Sequence, residues 1–342
     1  LIVAGTGVIN KTGDGFIVGD GTFCLGQVIV KDSAHVNITG GWNGIGNGSG
    51  GQGWLTLQDN AVYTLAAQDW NIGDYGSGRG YAYIKDNATL NVSRFFVGKN
   101  DTAFGVVWQT GGAVVGTGGN ANEWTIGGDG SASTEAFGFY SLSAGTFSNP
   151  FNFQIGRYGK GLFYLSGGTV TQGSWCSIGR FTTGLGILYV SGGQFIHTST
   201  SSSLMVGEGG SRGELTVVGP GSVTTAREFA IGNGGTGYVN LNGGSTLTVP
   251  RIAKWGGTGY LNLNGGTIRP TAADPSYLGG LNEAVVYSGG VVFDTAGFDV
   301  SVSQALLAPS GDGVQNIPIA DGGAGYQAPP VVQIDASGVG SG

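Results

Sequence analysis

Apolar and polar positions along this chain recur in step with glycine. An apolar residue followed by Gly returns at Val18, Ile45, Ile72, Val97, Ile126, Ile155, Ile178, Val206, Ile231 and Leu278, with Ile252-Ala253 filling one further place. The intervals are 27, 27, 25, 29, 29, 23, 28, 25, 21 and 26 residues, a mean of 26. A unit this short cannot bury a core alone, so neighbouring units must stack on one another.

Within each unit a Gly-rich stretch leads to Gly plus a bulky residue, a short alternating run, a tight turn, a second short run and the next apolar-Gly anchor. The clearest copies are Gly237-Tyr-Val-Asn-Leu-Asn-Gly-Gly244 and Gly259-Tyr-Leu-Asn-Leu-Asn-Gly-Gly266. Such runs and turn pairs, Asp59-Asn60, Asp86-Asn87, Gly167-Gly168 and Gly192-Gly193 among them, are strand and turn chemistry rather than helix chemistry. Period-2 alternation puts Leu55 and Leu57, Phe163 and Leu165, Leu188 and Val190, Val239 and Leu241, and Leu261 and Leu263 on one side, which should face inward. Two residues before each anchor stand Trp70, Phe95, Trp124, Phe153, Cys176, Leu204 and Phe229, predicted to form a buried, largely aromatic column with neighbours about 4.8 Å apart.

These features specify an all-β, single-chain parallel β-solenoid of about eleven coils, each about 26 residues and about 4.8 Å high, hence a rod of about 50 Å. A β-propeller needs blades of about 40–50 residues, too long for this period. The expected organisation is a lead-in strand segment over 1–20, solenoid repeats over 21–290, and a C-terminal β extension over 291–342 that fits the opening of a further module. Glycine makes up 72 of the 342 residues, which suits a chain that reverses direction every few residues. A fraction of 40% hydrophobic and 11% aromatic residues held at fixed phase argues against disorder.

Two stretches carry a resemblance. Gly5-Thr-Gly7-Val-Ile-Asn-Lys11-Thr-Gly13-Asp-Gly15-Phe-Ile-Val18 resembles the signature of the autotransporter-associated β-strand repeat, and Gly289-Gly-Val-Val-Phe-Asp-Thr-Ala-Gly-Phe-Asp-Val300 is similar to the Gly-Gly, Asp-Thr-x-Gly element of the same family. The tail Asp321-Gly-Gly-Ala-Gly-Tyr-Gln-Ala-Pro-Pro-Val-Val332 is similar to a Gly-Tyr-x-x-Pro-Pro module that accompanies it in large bacterial surface proteins. The resemblance implies a secreted, passenger-like β-helical protein of adhesive or structural use at the bacterial cell surface. The family's motif residues are structural, so it implies no functional residues.

Charge narrows the function further. A net charge of −7 with 14 Lys and Arg leaves no basic stripe for nucleic acid. No run approaches 18 apolar residues, so no membrane span is expected. Leu1 opens in mid-pattern and the chain stops in Gly-Val-Gly-Ser-Gly, which reads as a processed product or a portion of something longer. Cys24 and Cys176 should lie about 25 Å apart along the rod, too far to pair. Six Asn-x-Ser/Thr sequons, at Asn10, Asn37, Asn47, Asn87, Asn91 and Asn100, are what a chain rich in these residues produces by chance.

Catalytic chemistry is sparse. His35 and His197 are the only histidines and should lie about six coils apart, so neither a His-based metal cluster nor a Ser-His-Asp site is expected. Asp32, Asp59 and Asp86, each 27 residues from the next, should share one corner of three coils. Ca²⁺ would suit such oxygen ligands; a solvated turn ladder, relieved by Lys31 and Lys85 and by bonds to turn amides, explains them as well, and no cofactor is expected. Polar residues two after each anchor (Asp20, Asn47, Asp74, Lys99, Arg157, Arg180, Glu208, Asn233, Lys254) should line a wet corner, pairing Asp74 with Lys99 and Arg180 with Glu208.

The outward side of the first run carries Trp54, Tyr81, Tyr83, Phe139, Tyr164, Tyr189, Tyr238 and Tyr260, the candidate binding or interface strip. A long exposed aromatic strip exceeds what a lone monomer usually shows. The first expectation is therefore a non-enzymatic extracellular structural protein that self-associates, by end stacking and side-by-side contacts, into a fibre or surface layer. The alternative is an adhesin or passenger domain whose strip binds polysaccharide, and a polysaccharide lyase or hydrolase is a more remote third reading because acids and bases are so few.

Overall fold

The computed structural model describes residues 1–118, 123–310 and 318–332. The chain is an all-β parallel solenoid of about twelve turns with about 25 residues per turn. Every inter-strand pairing between named strands is parallel, and each joins one coil to the next. The turn beyond the expected eleven lies at the far end, past the anchor Leu278, where Glu283–Val286, Val291–Phe293 and Val300–Val302 pair in register with Thr258–Asn264, Gly266–Pro270 and Asp274–Leu278 of the preceding coil. No helix among the described residues is long and apolar enough to cross a membrane.

Each coil has three faces. The first is built from strands such as Gln52–Leu57 and Lys160–Leu165, the second from Thr169–Gln172 and Gln194–His197, the third from Asn152–Ile155 and Leu204–Glu208. Their inward residues fuse into one core running from Val3 to Ala284. The alternating leucines, valines and phenylalanines of the first face are fully or almost fully buried there, as their period requires. The second face adds large rings that the anchor spacing gave no reason to place inside, Tyr63, Phe147 and Phe195, and the first face adds Tyr140, in register with Phe163.

The column preceding the anchors is continuous: Trp70 registers with Phe95, then Trp124, Phe153, Cys176, Leu204 and Phe229, and Ile252, expected from its spacing to fill an anchor place, instead takes the next position of this column. All seven residues from Trp70 to Phe229 are completely buried. Trp70 stacks on Phe95 at 5.2 Å, and Phe95 meets Trp124 edge-on at 5.3 Å, the two geometries a ring quadrupole favours.

The anchor glycine has a steric cause. At Gly73 φ is +73°, and a Cβ there would lie 2.3 Å from the carbonyl oxygen of Phe104 in the next coil. The chain must turn through the left-handed region at that corner while a neighbouring backbone passes against it, and only Gly does both.

Candidate functional site

The first face positions the predicted strip. Two of its outward columns, set by register, carry the predicted residues. Trp54, Tyr81, Val106, Phe139, Leu162, Ile187, Glu214, Tyr238 and Tyr260 fall in one column. Tyr83, Trp108, Ser141, Tyr164 and Tyr189 fall in the other. All eight predicted residues therefore share one face, but they do not make one continuous exposed strip. Glu214 divides a larger patch, Trp54 to Tyr189, from the pair Tyr238 and Tyr260, which stack at 4.9 Å.

Two of the eight are not exposed at all. Tyr81 and Phe139 retain only 5% and 4% of their accessible surface. With Val106 and Leu162 they form a second apolar cluster, outside the solenoid core, against which Trp54, Phe104, Trp108, Phe137, Tyr164, Ile187, Ala328 and Val331 pack. Coil-to-coil stacking covers part of their area: Trp54 on Tyr81 at 5.3 Å, Phe139 against Tyr164 at 5.3 Å. Trp108, stacked on Tyr83 at 4.5 Å, and the stacked pair Phe104 and Phe137 belong to the patch as well. Sequence alternation missed these three because Trp108 lies in a coil whose run lacks the Gly-plus-bulky-ring opening, and the phenylalanines stand just before the glycine that was used as the start of the run.

The remaining cover is the chain's own tail. Ala328 and Val331 pack on the cluster; Tyr326 to Pro330 border a cavity with Trp108, Phe139 and Ser141, and Val331 and Val332 border one with Leu185, Ile187, Arg212 and Glu214, while Tyr326 and Val332 stay largely exposed. The segment thus runs along the rod rather than around it. From the coil of Phe139 to that of Glu214 is three coil steps, about 14 Å, and the four steps from Ala328 to Val332 span about 12 Å at the rise of an extended Pro-rich chain. No strand follows Val300–Val302 among the described residues. The tail is held by side-chain packing and not by joining a ladder.

The three aspartates do share a corner, and each has a backbone task. The Asp32 carboxylate accepts the amide of Gly5 at 2.8 Å, Asp59 accepts that of Asp32 at 3.0 Å, and Asp86 accepts that of Asp59 at 3.1 Å. All three aspartates are left-handed, with φ of 57–59°, a conformation that Asp tolerates better than most residues. The amide from Asp32 holds the Asp59 carboxyl below its ordinary range, with help from Gln58, Lys85 and Lys31. Paired glycines take over this corner at Gly111-Gly112 and again at Gly167-Gly168 and Gly192-Gly193: a Cβ at Gly111 would lie 2.6 Å from the carbonyl oxygen of Asp86. Among the described residues there is no group of three or more His, Cys, Asp or Glu placed to hold a metal ion.

The corner two residues after the anchors is wet only in part: Asp20 is exposed and Lys99, Arg157, Arg180, Asn233 and Lys254 are half-buried, but Asn47, Asp74 and Glu208 are buried. Asp74 and Glu208 keep 1% and 8% of their surface. The Asp74 carboxylate accepts from the amide of Tyr75 at 2.9 Å and from Asn100 Nδ2 at 2.8 Å, while Lys99 bridges Asp69 at 2.7 Å instead of Asp74. Burial outweighs the attraction of Lys99 and these bonds, and raises Asp74 to about 6. Glu208 is raised by burial too, against bonds from Ser177 and Trp175 and the field of Arg180, whose Nε lies 3.8 Å away. These side chains bury because the coils stack closely enough that each corner is roofed by the next.

His35 is exposed and His197 fully buried, with Nε2 2.7 Å from the carbonyl of Ser174. Burial lowers its pKa, so it is held neutral. Cys24 is exposed, Cys176 buried, and both are free thiols.

No family model matches the chain, and no curated protein does. Among solved structures it is similar to one described as the crystal structure of the TibC-catalyzed hyper-glycosylated TibA55-350 fragment, at 17% identity over 89% of this chain and 98% of that one, with a TM-score of 0.24. A superposition that loose transfers no function.

Proposed function

We propose that the chain is a non-enzymatic structural rod, displayed outside the cell at a bacterial surface, that associates side by side with copies of itself through its first face. The observation that carries this reading is the seating of residues 326–332 lengthwise over the aromatic patch. An extended Pro-rich segment is stiff before it binds, so docking it costs little ordering entropy. A groove that accepts this segment from its own chain accepts it equally from a neighbour, which is how exchanged segments link copies of one protein. Catalysis has little to draw on here, since most of the acids among the described residues are engaged with turn amides, neighbouring side chains or ion pairs and the histidines lie apart.

Electron microscopy of the full chain over a concentration series tests it. Laterally associated rods are expected, and they should dissociate in Val331→Asp, which puts a charge into the apolar seat. Single rods at every concentration would sink the proposal. A second reading, polysaccharide binding on the same face, is favoured by the stacked pair Tyr238 and Tyr260, which lies beyond the tail and stays half-exposed. Glycan binding that collapses in Tyr238→Ala while Val331→Asp leaves assembly unchanged would favour that reading over the first.

A further inference from the structure

On the outer side of the third face, away from the aromatic patch, lies an open cleft of about 310 Å³. Two tryptophans wall it, Trp175 and Trp255, with Ser203, Met205, Arg227 and Asn233 between them. Register explains the spacing. Cys176, Leu204, Phe229 and Ile252 occupy one position in four successive coils, so the two indoles stand three coil steps, about 14 Å, apart along the rod.

Both rings are fixed by their nitrogens. Trp175 Nε1 donates to Ser177 Oγ at 2.8 Å and to Glu208 at 3.2 Å, and Trp255 Nε1 donates to Glu228 at 2.5 Å. Their N–H groups are spent on the protein, which leaves ring surface to offer a ligand. Arg180 covers one side of Trp175 at 4.7 Å, while Trp255 keeps 37% of its surface exposed. Between the rings the lining mixes apolar surface, Met205 included, with polar groups, and Asn233 Nδ2 donates to Met205 Sδ at 3.2 Å. Arg227 Nη1 is anchored on the carbonyls of Thr200 and Ser201, at 3.3 and 2.8 Å, and a guanidinium has five N–H donors, so three remain. Ser203 Oγ is buried with no hydrogen-bond partner, a state that costs about 1–3 kcal/mol unless something pairs with it. The lining includes no carboxylate and no histidine. Glu208 and Glu228 stand behind the indoles, each already bonded to one.

We propose that this cleft is a saccharide-binding subsite. Fixed aromatic faces complement the C–H face of a pyranose ring, and Arg227, Ser203 and Asn233 complement its hydroxyls. An apolar ligand would leave those polar groups unsatisfied, and a peptide would find no strand edge to pair with. The absence of an acid or base in the lining makes the cleft a place of binding, not of glycosidic cleavage, which calls for two carboxyl groups flanking the bond. The site is independent of the side-by-side association proposed above, because it shares no residue with the first face.

The test is titration of the full chain with hexasaccharides of glucose, mannose, galactose and galacturonate, followed by tryptophan fluorescence and calorimetry. At least one should bind and change the indole emission. Trp255→Ala should then weaken it by about tenfold or more, the loss expected of a central aromatic contact, and Arg227→Ala should weaken it as well. Tyr238→Ala on the other face should leave it unchanged. Trp255 is exposed, so its removal should not unfold the rod, and circular dichroism of each variant checks that. Absence of binding by all four sugars up to millimolar concentration would overturn the proposal. So would binding that survives Trp255→Ala and Arg227→Ala but fails in Tyr238→Ala, a result that would place the sugar on the first face.

Discussion

Replacing Asp74 with Asn should stabilise this protein at neutral pH and do nothing in acid. In the folded chain Asp74 holds its proton up to about pH 6, against an ordinary carboxyl value of 3.8, with burial as the leading cause. Between those two values the folded state binds more protons than the unfolded one, so stability falls as pH rises through that window. Below about pH 3.8 the group is neutral in both states and contributes nothing. Above about pH 6 the full burden is present, about 3 kcal/mol for a difference of about two pH units. Asparagine removes the charge and keeps the acceptor that Tyr75 and Asn100 use. Its amide also supplies a donor where Asp74 Oδ2 is now buried without a partner, next to its register partner Asn47, whose Oδ1 is buried and unpartnered too. Urea unfolding of both proteins, followed by tryptophan fluorescence at pH 3.5 and pH 7.5, measures the difference directly. A gain of about 2–3 kcal/mol at pH 7.5 that vanishes at pH 3.5 is expected. A variant no more stable than the parent at pH 7.5 would refute the reasoning, because it would mean that Lys99 and the two hydrogen bonds outweigh the desolvation of the carboxylate.

Trp124→Ala should destabilise by about 3–5 kcal/mol, since the ring is fully buried between Phe95 and Phe147 and its Nε1 bonds the Ser93 carbonyl at 3.0 Å; chemical denaturation reads the loss. Gly73→Ala should cost more than the about 1–3 kcal/mol of a strained backbone site alone, as its Cβ also meets the Phe104 carbonyl, and a drop in melting temperature of several degrees or more checks it. A thiol reagent on the native protein should label Cys24 rapidly and Cys176 only after unfolding, because burial both shields the Cys176 thiol and pushes its pKa up; mass spectrometry of the labelled peptides distinguishes the two. Adding Ca²⁺ or EDTA should leave the melting temperature unchanged, since the aspartate corner is satisfied by amides. The contribution of Asp59, held low, should instead fade as pH drops through and below about 3.8, and Asp59→Asn should remove that dependence.

Much of the fold was legible because its strongest constraints are local and repeat. A glycine required at every third corner, and one inward bulky residue at a fixed place in most coils, often aromatic, leave a periodic trace that survives wide variation in the residues between. What periodicity does not encode is what lies over a surface once the coils have stacked. Asp74, Asn47 and Glu208 read as solvated corner residues, yet the next coil roofs them. Tyr81 and Phe139 have the alternation of outward residues and do point outward; Tyr81 is buried among the rings of Trp54, Phe104 and Trp108 from neighbouring coils, and Phe139 lies in a cluster on which a segment more than 180 residues later in the chain packs. The cleft between Trp175 and Trp255 escaped for a related reason. Trp175 stands one residue before the aromatic column and Trp255 follows the one anchor without glycine, so only the stacking of four coils brings them to face each other.

The tail also bears on how the rod would carry load. A pull along the axis reaches the coils one after another, so their inter-strand hydrogen bonds stand in series and peel apart a turn at a time. Residues 326–332 cross several of those junctions at once, parallel to the pull. They act as a brace in shear over the coils from Trp108 to Arg212, and that stretch should be the stiffest part of the rod, while the coils on either side of it yield first.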